Sequence, residues 1–324
     1  MKSMKKVHLP VAIAISVLIS SCSKDSTMPI VVAPQVDTLT LGWKKVIIDT
    51  TQSYLDVYFN NTSTGYLVGS KSYKSTDGGL NWQLLLSNES FGNLHVTANG
   101  NAFFAGLGLF KSSNGTGPLT NVIPFSKAGV SDVYFVDDNN GYYFDNSGLY
   151  HSTDAGANWT KLATTGLNFP SDSFSTLCFS NNNTGWISAK NTVYKTNGST
   201  SNWVAGSFPG STTSRRFASV FVTPNNTVLT ASSDGELFKS TNGGSTFSLI
   251  QTFRGDGRFV DIHFIDNNVG YVSALNKIYK TTDGGVTWAV VATLANGEFI
   301  EIHFVDAGHG WASATKGAVL IYNN

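Results

Sequence analysis

The sequence predicts an all-β fold: a seven-bladed β-propeller of four-stranded antiparallel blades. Three observations carry that prediction. A turn phrase recurs along the chain, a second phrase recurs about 20 residues before it, and a lone strand at the front matches a strand missing at the end. The turn phrase reads YKSTDGGLNW at 73–82, YHSTDAGANW at 150–159, FKSTNGGSTF at 238–247 and YKTTDGGVTW at 279–288. The second reads LDVYFNNTSTGYLVG at 55–69, SDVYFVDDNNGYYFD at 131–145, STLCFSNNNTGWISA at 175–189, VDIHFIDNNVGYVSA at 260–274 and IEIHFVDAGHGWASA at 300–314. Weaker copies at 93–106 and 218–232 bring the count to seven units, spaced by about 37 to 44 residues.

Each unit divides into four short strands. The first alternates apolar and polar residues, and an Asn/Asp/Gly turn leads to a second strand opening on Gly-Tyr or Gly-Trp. A tip precedes the third strand (SYKS, LYHS, VYKT, LFKS, KIYK), and the recurring turn delivers a fourth that opens on Trp82, Trp159, Trp203 or Trp288, with Phe247 in one copy. Period-two alternation broken by turn residues every eight to twelve positions is a strand signature. Units of about 40 residues with four strands are blades. The seventh unit stops at AVLIYNN (318–324), where the others enter the turn and fourth strand, while LGWKKVIID (41–49) is a fourth strand without a unit. Pairing the two closes the ring.

Composition agrees. Of 324 residues, 41% are hydrophobic and 13% charged, with 32 Gly, which suits many short strands and excludes disorder. Outside the N-terminus no apolar period of 3.6 is sustained, so almost no helix is expected.

The first residues read as a targeting signal. Lys2, Lys5 and Lys6 precede the apolar run VAIAISVLIS (11–20), which as a helix spans half a bilayer core, too short for an anchor. LISSC (18–22) resembles a bacterial lipobox, which implies cleavage before Cys22, acylation of that cysteine and stable membrane attachment. The alternative is an ordinary secretory signal beside a chance cysteine. The expected organisation is a signal peptide at 1–21, a lipidated Cys22 with a polar tether to residue 41, and the propeller over 42–324. The expected location is the cell envelope, as an outer-membrane lipoprotein facing periplasm or cell surface, and the expected state is a monomer. Cys178, in an apolar strand, reads as a buried core thiol. Cleavage removes three of the 21 basic residues and none of the 21 acidic ones, leaving a formal charge of −3 that does not invite nucleic acid.

The recurring turn, S/T-x-D-x-G-x-x-W, is the Asp-box or bacterial neuraminidase repeat. Its carboxylate accepts backbone N–H groups inside the turn, and Gly takes the left-handed position. The Trp ring buries at the blade edge, worth about 2–3 kcal/mol by area. Asp77, Asp154 and Asp283 hold the acidic position and Asn242 replaces it once. These turns lie around a rim and cannot converge, so their role, with Trp82, Trp159 and Trp288, is structural. The Asp-box combined with F-x-[DN]-x-x-x-G-[YW] resembles the photosystem II assembly and stability factor family over residues 42–324. That resemblance implies a seven-bladed propeller outside the cytoplasm, docking a protein partner through an arginine patch on one face.

This chain has four arginines: Arg215, Arg216, Arg254 and Arg258. All lie in two consecutive connections between a fourth strand and the next first strand, which emerge on one face around the channel. The expectation is a partner-binding patch for an acidic peptide or protein surface, since guanidinium grips carboxylate bidentately. The competing reading has two arginines paired with neighbours such as Asp256 and the rest solvated. The starts of the first strands add Asp56, Asp132, Asp261 and Glu301, and farther along His263 and His303. Two carboxylates at suitable spacing across a sugar could hydrolyse a glycoside, but recurrence at one repeat position reads as blade stabilisation. The interchange of His with Tyr58 and Tyr134 likewise reads as packing and hydrogen bonding, not metal ligation.

No metal site, cofactor or catalytic residue is assigned. The expected function is a lipid-anchored, non-enzymatic scaffold. The alternatives are a carbohydrate-active enzyme, such as a sialidase, or a glycan-binding propeller. A sialidase needs three arginines about one carboxylate and a Tyr–Glu pair, yet no arginine precedes residue 215 and the glutamates are Glu89, Glu236, Glu298 and Glu301.

Overall fold

The computed structural model describes residues 37–324 except 88, 116–117, 124–128, 211–214 and 254–258. Seven antiparallel sheets follow one another along the chain. The first blade comprises Tyr54–Phe59, Gly65–Gly69, Ser72–Ser75 and Gln83–Leu86. The first strands of blades two to seven are Phe91–Val96, Val130–Phe135, Leu177–Asn181, Phe217–Val222, Phe259–Phe264 and Phe299–Asp306. Each first strand touches the first strands of both neighbouring blades, so the seven form a closed inner wall.

The closing strand lies where the chain ends require it. Trp43–Ile47 pairs antiparallel with Ala318–Asn323, in register Trp43 to Tyr322 and Ile47 to Ala318, and completes blade seven. Trp43 is buried, edge-on to Tyr271 and Phe304. The expected tether to residue 41 ends earlier than its sequence suggests. Thr38–Leu39 adds a fifth strand to blade six against Ala292 and Thr293. Asp37 is fixed beside it, accepting the Ala295 N–H at 2.8 Å and pairing with Lys45 at 2.7 Å. The signal peptide, Cys22 and the rest of the tether lie outside the described residues.

The phrase F-x-[DN]-x-x-x-G-[YW] has a packing cause. In five blades the Phe lies directly opposite the Gly: Phe59–Gly65, Phe135–Gly141, Phe179–Gly185, Phe264–Gly270 and Phe304–Gly310. The ring lies across the glycine, and a Cβ at Gly141 would stand 2.5 Å from the Phe135 ring. The next residue packs on the Phe of the following blade. Trp311 stacks on Phe59 at 3.6 Å, Phe103 on Phe135 at 4.1 Å, Tyr142 on Phe179 at 4.1 Å and Tyr271 on Phe304 at 4.0 Å. Blades two and five lack the Phe, and there the pairs are Val96–Ala102 and Val222–Val228. A smaller ring-position residue permits a larger partner.

The Asp-box turns are built as their sequence implies. In blade one, Asp77 accepts the Ser75 hydroxyl and the Asn81 N–H, Gly79 N–H donates to Ser75, and the Trp82 indole donates to the Gly79 carbonyl. Asp154, Asn242 and Asp283 repeat the acceptor role, and Trp159 and Trp288 the indole bond. Burial is slight and these hydrogen bonds favour the anion, so Asp154 and Asp283 are held down at about 2. The turns also fasten blades together: Lys111 and Lys239 donate to the Ala155 and Gly284 carbonyls of the following turns.

Candidate functional site: the channel and its arginine-bearing face

The inner wall carries two rings of side chains around a chamber of about 300 Å³. The upper ring is Asp56, Asn93, Asp132, Thr176, Ser219, Asp261 and Glu301, one residue per blade. Six of its members reach sideways into the next blade, while Glu301 bonds back to Asp261 of the preceding one. Asp56 accepts the Leu94 N–H at 2.8 Å, Asp132 that of Leu177 at 2.8 Å, Thr176 that of Val220 at 3.2 Å and Asp261 that of Ile302 at 3.2 Å. Ser219 donates to Asp261 at 2.8 Å, and Asn93 donates to the Ser131 carbonyl at 3.0 Å. Asp recurs there because it supplies the acceptor that joins blades.

These carboxyls are buried, and among the described residues no cation pairs with them, which disfavours the charged form. Burial pushes Asp56 up to about 8 and Asp132 to about 7, against the lowering effect of their backbone donors. Asp261 rises through burial as well. Glu301 rises well above its usual range, through burial and then through its neighbours Asp261 and Asp56.

The second ring lies two residues further along: Tyr58, His95, Tyr134, Cys178, Phe221, His263 and His303. His303 Nε2 bonds the Phe59 carbonyl at 2.8 Å, and the Tyr134 hydroxyl donates to the Phe179 carbonyl at 2.9 Å. His95 and His263 make the equivalent bonds to Phe135 and Phe304. Tyr134 and the three histidines interchange because each bonds the equivalent backbone carbonyl of the next blade, whereas Tyr58 packs between His303 and His95 at 4.2 and 5.4 Å. Burial lowers His95 and His263 to about 3 and His303 to about 4, so all three are neutral near pH 7. Cys178 is a buried free thiol, its ionisation pushed well up by burial. Among the described residues no group of three or more His, Cys, Asp and Glu is placed to hold a metal.

The connection leading into blade five carries Arg215 and Arg216. Its backbone is clamped on both sides: Asn191 N–H donates to the Arg215 carbonyl at 2.9 Å, and Ser233 N–H to the Arg216 carbonyl at 2.7 Å. The two side chains have different surroundings, as successive residues of an extended chain do. Arg215 Nε meets Glu236 at 2.7 Å, its Nη1 donates to the Pro209 carbonyl at 2.9 Å, and its guanidinium lies 4.9 Å from the Phe238 ring centre. Only 12% of that side chain is exposed, so Arg215 is committed to an internal ion pair. Glu236 is its carboxylate, in place of the Asp256 considered from sequence; Asp256, Arg254 and Arg258 lie outside the described residues.

Arg216 is exposed. It borders a recess of about 210 Å³ with Phe144 and Asp145 of blade three and with Phe169, Pro170 and Phe174 of the connection into blade four. Phe169 and Phe174 pack at 4.5 Å, and Phe174 meets Phe144 edge-on at 5.9 Å. Sequence reasoning missed these aromatics. The available signal was spacing, because the interval from the third unit to the fourth is the longest, and its extra residues include FPSDSF (169–174).

No family model and no curated protein matches the chain. Solved structures do resemble it. YCF48 bound to D1 peptide superposes with a TM-score of 0.72 at 18% identity, over 87% of this chain and 97% of that one. The GH74 xyloglucanase from Xanthomonas campestris gives 0.69 at 15% identity, over 85% of this chain and 52% of its own. A streptogramin B lyase gives 0.72 at 14% identity, over 87% and 97%. At such identities the likeness establishes the propeller, which in these proteins serves a peptide complex, a glycoside hydrolase and a lyase.

Proposed function

We propose that this chain is a non-enzymatic scaffold, similar to photosystem II assembly factors, that holds an acidic peptide or protein segment on the arginine-bearing face. The observation that carries this reading is the exposed Arg216 beside an aromatic-walled recess, on a backbone clamped between two blades. An exposed cation beside a recess that mixes the Phe144, Phe169 and Phe174 rings with the polar side chains of Ser131, Asp145, Asn146 and Ser173 suits a segment that presents a carboxylate together with hydrogen-bonding groups. The neighbour YCF48, with its bound D1 peptide, supports peptide binding on this architecture. The channel carboxylates argue against hydrolysis, since Asp56, Asp132 and Asp261 are occupied in joining blades. The sequence around Cys22 supports export and lipid attachment at the envelope.

Affinity capture from an envelope extract tests the reading. Arg216→Glu abolishes recovery of the partner and leaves the melting temperature near that of the native chain. Equal recovery by this variant refutes it. Turnover of any sialoside or β-glucan at high protein concentration establishes the carbohydrate-active alternative instead.

A further inference from the structure

The Asp-box of blade five has Asn242 followed by Gly243, where the other three boxes have Asp77, Asp154 and Asp283. An Asn–Gly peptide is the sequence most open to succinimide formation, because glycine leaves the attacking nitrogen unhindered. Asn–Gly recurs at 99, 114, 140, 197 and 296, so context must decide which of these sites reacts.

Two features separate this turn from its three sister boxes; the Asn197–Gly198 step, whose Gly198 N–H is equally open, has no donor on its side-chain carbonyl among the described residues. In the sister boxes the N–H after the acidic residue is occupied: Gly78 donates to the Ser63 carbonyl at 2.9 Å, Ala155 to Asn139 at 3.0 Å and Gly284 to Asn268 at 2.9 Å. Blade five has the shorter first turn TPNNT (223–227). Among the described residues no acceptor pairs with the Gly243 N–H, and no atom lies within 4 Å of where its Cβ would be. The Asn242 side-chain carbonyl, meanwhile, accepts both the Ser240 hydroxyl at 2.8 Å and the Thr246 N–H at 3.0 Å. Two donors on that oxygen stabilise the negative charge that develops when a nucleophile adds to Cγ.

We propose that Asn242 is a deamidation site whose product completes a fourth Asp-box. The Gly243 nitrogen gives up its proton and bonds to Asn242 Cγ. The bond from Cγ to Nδ2 breaks, and ammonia leaves with that proton. Water then opens the succinimide. Opening at the ring bond to Cγ leaves an aspartate on an unaltered backbone; opening at the other gives isoaspartate, which lengthens the main chain by one carbon. The turn is already shaped for aspartate. Asp283 accepts the Thr287 N–H at 2.9 Å and the Thr287 hydroxyl at 2.6 Å, and Thr246 stands ready to do the same at position 242. Charge-assisted bonds replace neutral ones, and the Asp-box rim gains one negative charge.

The test uses the native chain, aged at mildly alkaline pH and followed by peptide mass spectrometry with fragmentation that distinguishes aspartate from isoaspartate. Asn99 is the internal control, because the Gly100 N–H is held by the Thr97 carbonyl at 2.8 Å. The expected result is conversion at Asn242 several-fold faster than at Asn99, with aspartate among the products, and a melting temperature for Asn242→Asp at or above that of the native chain. Conversion at Asn99 as fast as at Asn242, isoaspartate as the sole product, or an Asn242→Asp variant that melts lower overturns the proposal.

Discussion

The Phe–Gly register makes a quantitative prediction. In Gly141→Ala the new methyl meets three atoms of the Phe135 ring at 2.5 to 2.8 Å. The ring cannot retreat, because Phe103 stacks on its other side at 4.1 Å and Trp159 meets it edge-on at 5.8 Å. Overpacking of this kind costs about 1–3 kcal/mol. For a chain of this size that lowers the melting temperature by about 2–4 °C per kcal/mol. Phe135→Val alone loses the stack and leaves a cavity, costing about 2–3 kcal/mol. The double variant recreates the Val96–Ala102 pair of blade two, so the clash is absent and the penalties do not add. The expected coupling is about 1–3 kcal/mol in favour of the double variant, measured by thermal or denaturant unfolding of all four chains. Additive penalties would refute the claim that ring and glycine are matched as a pair.

The remaining predictions concern charge and closure. Arg215→Ala strands a largely buried Glu236 and lowers stability by about 1–3 kcal/mol, whereas Arg216→Ala moves unfolding little; equal effects in a melting assay would contradict the assignment of their roles. The channel makes stability depend on pH in two opposed ways. Asp56 and Asp132 are raised, so their contribution is complete below about pH 4 and is lost as pH climbs through about 7 to 8. His95, His263 and His303 are lowered, so theirs is complete above about pH 6.5 and is lost on acidification towards 4 and 3. Above pH 6.5 the carboxyl effect acts alone, so the melting temperature falls towards pH 8, and Asp56→Asn flattens that limb; an unchanged slope in the variant counts against it. Trp43→Ala removes the aromatic plug of the closing strand at a cost of about 3–5 kcal/mol, and proteolysis then starts near residue 43; native-like resistance would contradict the closure.

Much of the fold was legible because seven near-copies comment on one another. A single Gly141 says little, but Gly opposite Phe in five copies, with Ala or Val opposite Val in two, encodes a contact. The orphan strand at Trp43 was readable because blade seven lacked one. Residues outside the repeat were opaque for the same reason. Thr38–Leu39 pairs across 253 positions through its backbone, which leaves no side-chain pattern. The Arg215–Glu236 pair joins a connection to the third strand of the same blade, and nothing in local spacing predicts it. The recess beside Arg216 rests on Phe169 and Phe174, which belong to an insertion without counterparts in other blades.

Photo-crosslinking in the native cell tests the binding claim most directly. A photoreactive residue replacing Phe169, at the Arg216 recess, should yield a discrete adduct that Arg216→Glu removes. The same probe at Leu80, exposed in the Asp-box turn on the opposite face, should yield none. An adduct from position 80 alone, or one from position 169 that persists in Arg216→Glu, would contradict the account.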